Sequence, residues 1–281
     1  MSEADILKFA DLHLHTIFSD GTYTPQEVVL EASKQGLSCI AVCDHDTVEG
    51  IEPTIEIGKS AGLEVLAGIE LTAECDGLEV HLLGYFVDYK RKELIERLKA
   101  VKKIRVERIY KITDKLKDMG INLDPETILD ISGVGTIGRL HIARAMVKDG
   151  IVKSVAEAFQ RYIGDTAPAY IAGFRFSPME AIKLIRESSG IPVLAHPYVL
   201  RKEALIPEFV SYGLMGLEVY YPEHTQSMVN FYLELSKKYG LLVTGGSDFH
   251  GSAKPEIKVG SVKIPYELVE RLKETKRNFK G

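Results

Sequence analysis

Short apolar runs alternate with amphipathic stretches along most of this chain, and most of the runs end on, or within two residues of, a histidine or a carboxylate. The alternation predicts strands over 10–15, 38–43, 64–69, 79–86, 191–195, 214–220 and 241–246. Helices are predicted between them over 24–35, 50–61, 178–188 and 226–239. Thr24 is placed to cap the first helix, with Pro25 in its first turn. The rhythm breaks at Asp88. A helical pattern with apolar Leu94, Leu98, Val101, Ile104, Ile109, Ile112 and Leu116 then runs to Met119 and stops at Gly120. Further helices over 125–131, 138–148 and 154–162 complete an all-helical block. Strands separated by helices predict a single parallel sheet in an α/β protein, and about seven strands suffice to close it into a barrel. The expected organisation is a discontinuous barrel domain over 8–88 and 174–281, with a helical insertion subdomain over 89–173.

The 281 residues, 45% hydrophobic and 27% charged, can bury a full core. With 35 Lys+Arg against 40 Asp+Glu the formal charge is −5, which excludes a histone-like polybasic surface. No apolar run approaches the roughly 18 residues of a bilayer span, and the first residues lack the three parts of a secretory signal. These features lead us to expect a soluble cytoplasmic protein with no membrane partner. Cys39, Cys43 and Cys75 are odd in number and lack a C-x-x-C spacing, so neither a disulfide framework nor a thiolate zinc site is indicated. There is also no G-x-S-x-G elbow and no P-loop.

The chemistry of the chain lies where its strands end. His13 and His15 stand two apart and project to one side of a strand, so both imidazoles can reach one cation while Leu12 and Leu14 pack behind. Asp20, in Ser19-Asp20-Gly21, reads as a turn residue by itself and as a ligand beside that pair. His45 lies between Asp44 and Asp46, either of which can orient its ring. Glu70 follows an apolar run, and a carboxylate buried there needs a cation or donors. His81 sits inside an apolar strand and reads equally well as a hydrogen-bonded core residue. His196 is followed by Pro197, and Asp248 and His250 stand two apart among Gly245, Gly246 and Gly251. Metal-ligand residue types at the carboxyl ends of strands occupy the position where α/β barrels and open sheets build their sites.

The segments Asp11-Leu12-His13-Leu14-His15, Ser19-Asp20-Gly21, Asp44-His45-Asp46, Gly68-Ile69-Glu70, His81-Leu82-Leu83-Gly84-Tyr85, Ala195-His196-Pro197 and Gly246-Ser247-Asp248-Phe249-His250-Gly251 together resemble the polymerase and histidinol phosphatase (PHP) family. The resemblance covers about the first ninety and last hundred residues. It implies a distorted (β/α)7 TIM-like barrel holding three divalent metal ions: manganese, iron or zinc. Imidazoles and carboxylates without thiolate agree with those metals. By motif, His13, His15, Glu70 and Asp248 would hold the first ion. Glu70, His81 and His196 would hold the second, and Asp20, His45 and His250 the third.

Within the family the chain resembles the stand-alone phosphoesterases of 3′,5′-bisphosphonucleotides, some of which trim short RNA from its 5′ end. Arg139-Leu140-His141-Ile142-Ala143-Arg144-Ala145 carries that finer likeness, with Leu140 in place of the family's proline, and Ala169-Tyr170 and Ser177-Pro178 agree with it. The implied activity is hydrolysis of the 3′-phosphate of a nucleoside 3′,5′-bisphosphate by a hydroxide that two metals about 3.5–4 Å apart generate. Arg139, whose fork can bind two phosphate oxygens, is the expected anchor for the second phosphate, with His141 as companion. His224, after the sixth strand, is a further substrate-binding candidate. From Lys90 to Lys117 there are twelve Lys+Arg and four Asp+Glu, a surface suited to steering a nucleotide or short RNA, or simply a solvated helix face. No obligate protein partner is expected. The alternatives are a 5′→3′ exoribonuclease, a histidinol-phosphate phosphatase, against which the insertion argues, and a catalytically silent metal-binding module. In a silent module the ligand positions should be eroded, and all nine are filled.

Overall fold

In the computed structural model residues 7–173 and 176–279 are described, so the expected boundary at 174 and the last two residues lie outside the description. Among the described residues eight strands form one sheet: β1 (Phe9–Leu14), β2 (Cys39–Val42), β3 (Glu64–Cys75), β4 (Leu78–Tyr85), β5 (Ile191–Leu194), β6 (Gly216–Tyr220), β7 (Leu242–Gly245) and β8 (Ile264–Pro265). Their order is β7-β6-β5-β4-β3-β2-β1-β8. Past β7 the chain returns to β1. Phe249 bridges Leu14, the His15 N–H donates to the Phe249 carbonyl at 3.0 Å, and the Ser247 N–H donates to Asp11 Oδ1 at 2.8 Å. These contacts curl the sheet into a nearly closed, TIM-like barrel.

The expectation of a wholly parallel sheet fails at β4 and at the short β8. β4 is antiparallel to both β3 and β5, and β8 is antiparallel to β1. The cause is a two-residue turn at Asp76-Gly77, with φ of 53° and 76°, the backbone pattern that a tight hairpin demands and that Asp-Gly supplies. β3 therefore does not stop at 69. It pairs with β2 through Ala67 and with β4 from Gly68 to Cys75. Reversal of β4 sets His81 opposite Thr72, so a residue near the start of its strand reaches the end of the barrel where the other strands finish.

The helices are α1 (Pro25–Lys34), α2 (Ile51–Ala61), α3 (Lys92–Asp118), α4 (Pro125–Ser132), α5 (Arg139–Lys148), α6 (Val155–Ala158), α7 (Pro178–Glu187), α8 (Ile206–Ser211), α9 (Gln226–Tyr239) and α10 (Tyr266–Asn278). Thr24 caps α1 as expected: its side chain accepts the Glu27 N–H, and the Glu27 carboxylate accepts the Thr24 N–H at 2.8 Å. The 27 residues of α3 span about 40 Å and serve two cores. Leu94, Leu98 and Val101 pack with Ile69, Leu71 and Ile182 against the barrel, whereas Ile109, Ile112 and Leu116 pack with Ile128, Ile142 and Met146 of the following helices. Arg105 and Arg108 fall between these halves, where two buried faces fix them over the barrel mouth. Among the described residues no helix is long and apolar enough to cross a membrane.

Candidate metal centre

Leu12 and Leu14 are both fully buried, but β1 slips in register against β2 between Asp11 and Leu14 and the two leucines enter different cores. Leu12 joins Cys39, Leu83 and Tyr85, while Leu14 joins Val28, Ile40 and Phe249. His13 and His15 still bring their Nε2 atoms to one place, 3.1 Å apart. Each lies 3.1 Å from Glu70 Oε2, and they stand 3.4 and 3.1 Å from Asp248 Oδ1. Glu70 is fully buried where β3 parts from β2. Its Oε2 also lies 3.4 Å from His45 Nδ1, and its Oε1 lies 3.0 Å from His81 Nδ1 and 3.2 Å from His196 Nε2. Asp20 Oδ1 is 3.2 Å from His250 Nε2 and 3.8 Å from His15 Nδ1.

All nine expected ligand residues thus meet at one end of the barrel. Among the described residues three groups have their ligand atoms within 4.8 Å of one another: His13, His15, Glu70 and Asp248; His45, Glu70 and His81; and His15, Asp20, His45 and His250. His15 and His45 are each shared between groups, a finer arrangement than the motifs alone implied. Asp46, His196 and Asp248 hold left-handed backbones, with φ of 50°, 27° and 52°. Such conformations cost energy for non-glycine residues and collect where a site over-determines its geometry.

The residues fit divalent cations. Donor atoms 3.1–3.4 Å apart match the edges of a coordination shell, about 3.0–3.4 Å for ligands about 2.0–2.1 Å from an ion. Asp20 Oδ1 and His45 Nδ1 are buried without a hydrogen-bond partner, a costly state that a cation relieves. Burial opposes charge at Glu70, Asp248, His15 and His81, yet the opposed charges prevail. Glu70 is held well below the usual carboxylate range by the charged imidazoles round it, His13 and His81, and Asp248 by Lys254, His250 and His13. Against the same burial, hydrogen bonds to Asp248 and Glu70 raise His15 to about 9, and the charge of Glu70 raises His81 to about 10. Burial wins at His45, pushed down to about 4 and so neutral, as a ligand must be.

Some supporting residues take roles other than those read from the sequence, and Lys254, Glu79 and Glu218 escaped that reading. Asp44 and Asp46 do not bond the His45 ring. Asp44 accepts from the Thr16 N–H, the Thr16 hydroxyl and the Ser19 hydroxyl at 2.8, 2.7 and 2.6 Å, while Asp46 accepts the Thr72 N–H and pairs with Arg105. Tyr221 and Lys254 both donate to Asp248 Oδ2, at 2.9 and 2.7 Å. Glu79 lies 3.0 Å from His81 Nε2. Glu218, an acid inside an apolar strand, touches His13 and His196. That placement was a visible signal.

A cavity of about 360 Å³ opens over the cluster, lined by His45, His81 and Asp248 together with Arg105, Arg108, Arg139 and Lys254. Leu140, in the family's proline position, does not prevent α5 from starting at Arg139. The Arg139 guanidinium lies between the rings of Phe159 and Tyr170, 2.7 Å from Asp165 Oδ1 and 3.8 Å from Glu79 Oε2. His141 and His224 do not line the cavity. His141 is buried and turns back on its own helix, where Nδ1 accepts the Gly138 N–H at 3.1 Å, and burial lowers it to about 4. His224 Nδ1 donates to the Val219 carbonyl at 2.8 Å, with its ring among Tyr198, Tyr221 and Tyr232.

Residues 11–166 match the model of the PHP domain. A 5′-3′ exoribonuclease of Haemophilus influenzae is 31% identical over 85% of this chain and 89% of its own length. A 3′,5′-nucleoside bisphosphate phosphatase of Chromobacterium violaceum is 29% identical over 89% of this chain and 90% of its own. Among solved structures, a candidate metal-dependent phosphoesterase from Bifidobacterium adolescentis superposes with a TM-score of 0.86 at 30% identity, covering 94% of each chain. Barrel, donor cluster and these likenesses define a metal-dependent phosphoesterase. The chain belongs to the PHP domain family.

Proposed function

We propose that this phosphoesterase removes the 3′-phosphate of a nucleoside 3′,5′-bisphosphate. The observation that carries the reading is that one cavity is lined both by His45, His81, His196 and Asp248 of the donor cluster and by Arg105, Arg108 and Arg139: a substrate with two phosphates can offer one to each set. The phosphatase of Chromobacterium violaceum, similar along nearly its whole length, acts on such a substrate by its name. In this reading His13, His15, Glu70 and Asp248 hold one divalent ion, Glu70, His81 and His196 a second, and Asp20, His45 and His250 a third. Bound there, such ions activate water and neutralise phosphoryl charge. The rest falls to the chain. Arg139, with Arg105 and Arg108 beside it, holds the distant 5′-phosphate through charge-assisted hydrogen bonds. Phe159 and Tyr221 offer ring faces to the nucleoside. Lys254 and Tyr221 fix the second oxygen of Asp248. Water splits the bond between phosphorus and O3′, releasing inorganic phosphate and the 5′-nucleotide. The 89–173 block then serves as the substrate-reading subdomain of a barrel formed by 8–88 and 174–281.

A second reading, 5′→3′ exoribonuclease, is favoured by the Haemophilus influenzae relative and by exposed Lys99, Lys102 and Lys103 on α3, the helix that also carries Arg105 and Arg108. Parallel kinetics on adenosine 3′,5′-bisphosphate, a short 5′-phosphorylated RNA and histidinol phosphate distinguish these. We expect kcat/KM to be at least about tenfold higher for the bisphosphate. Loss of one charged hydrogen-bond partner, about 1.5–3 kcal/mol, predicts that Arg139→Ala costs roughly 10- to 100-fold on that substrate and little on p-nitrophenyl phosphate. A preference for RNA transfers the assignment to the second reading, and no turnover of any substrate with metals loaded would leave a silent module.

A further inference from the structure

β6 places Glu218 between Leu217 and Val219, and its carboxylate is fully buried. A carboxylate in such surroundings is sustained only by strong partners. Glu218 has two, and both belong to residues read above as ligands. Oε1 lies 2.9 Å from His13 Nδ1, and Oε2 accepts the backbone N–H of His196 at 2.8 Å. A carboxylate oxygen accepting at this distance keeps a proton on His13 Nδ1. Nε2, the nitrogen that faces Glu70 and Asp248, is then the one whose lone pair a bound cation would take. At His196 the same carboxylate secures an N–H whose residue holds φ 27° and ψ 62°, a region side chains seldom occupy, immediately before Pro197.

We infer that Glu218 is a positioning residue that aims two ligands at once, His13 through its ring and His196 through its backbone, and thereby sets the metal affinity of the sites that share Glu70. The inference rests on the proposed ligand roles of His13 and His196. A glutamine is nearly isosteric, but it offers one acceptor oxygen and one NH2 group. If the oxygen serves His196, the amide donates to His13 and moves its proton to Nε2. If it serves His13, the His196 N–H faces another donor.

The experiment is competitive titration of Zn²⁺ against a chelator for wild type, Glu218→Gln and His13→Ala, with circular dichroism verifying the fold. Supporting residues of this kind are worth about 10- to 100-fold in metal affinity, so Glu218→Gln is expected to weaken the affected sites by that factor with its fold intact. If His13→Ala binds as wild type does, the ligand reading itself falls. If His13→Ala loses metal and Glu218→Gln does not, the positioning role falls alone. Should Glu218→Gln not fold, nitrogen NMR of the zinc-loaded wild type decides: His13, identified by the resonances missing from His13→Ala, must carry its proton on Nδ1. A bare Nδ1 would overturn the inference.

Discussion

Gly246 shows how little room the centre leaves around a single residue. A Cβ at this position would fall on the Cβ and backbone nitrogen of His13, far inside any real contact. The turn after β7 lies flat against β1 there, with the Ser247 N–H and hydroxyl both donating to Asp11. A flexible side chain could move aside, but a strand backbone cannot do so cheaply. Gly246→Ala should therefore push β1 off the turn at a cost of about 1–3 kcal/mol, the usual scale for overpacking. His13 and Asp248 lie on the two sides of that contact, so metal affinity should fall together with stability. Chemical denaturation and metal titration of one preparation test this. A lower midpoint with unaltered affinity would mean that the two sides do not move the site.

The β3–β4 hairpin does the same for a whole element. Its turn fixes which residue of β4 faces Thr72, and hence where His81 points. Gly77 holds φ 76°, a left-handed conformation that costs an L-residue about 1–2 kcal/mol. Gly77→Val should lower stability by at least that amount and weaken metal binding by disturbing the register. Wild-type metal content and stability in this variant would show that the strands, not the turn, set the pairing. This hairpin also marks the limit of what the sequence discloses. His13, His45, Glu70, His196 and Asp248 were legible because an apolar run ending in a ligand residue is a local pattern. The direction of β4 was not, since the run from 79 to 86 reads the same either way; Asp76-Gly77 carried the missing signal. His141 misled because its family motif says nothing of the bond that ties its ring to Gly138. α10 went unpredicted because it buries only Val269 and Leu272 among many charges. Glu218 matched no motif, and its purpose emerged only when β6 came to lie across from β1.

On the scale of the whole molecule, the barrel spends part of its stability on ionisable groups collected at one end, and that debt depends on what neutralises them. In chelated protein the neutralising charge is protons. His15 and His81 rise from 6.5 to about 9 and about 10 because, despite burial, Asp248, Glu70 and Glu79 favour their charged forms. A folded pKa above the unfolded value contributes stability that is complete below about 6.5 and is lost as pH climbs through 9 and 10. Glu70 and Asp248, depressed below 4.5 and 3.8, act in the opposite sense: their contribution is present above those values and fades only in stronger acid. His45, lowered to about 4, is neutral throughout the alkaline range. Between pH 7 and 9.5 the chelated protein should thus lose stability as protons leave the imidazoles. Divalent ions replace those protons and bind more tightly as pH rises. A hundredfold excess over Kd adds about 2.7 kcal/mol, or about 5 °C and more in Tm. Calorimetry across that window should show a nearly level Tm with metal, a falling Tm with chelator, and a gap that widens toward alkaline pH. A constant gap, or a chelated protein that gains stability on going from pH 7 to 9.5, would show that the cluster's imidazoles do not hold those protons in the absence of metal.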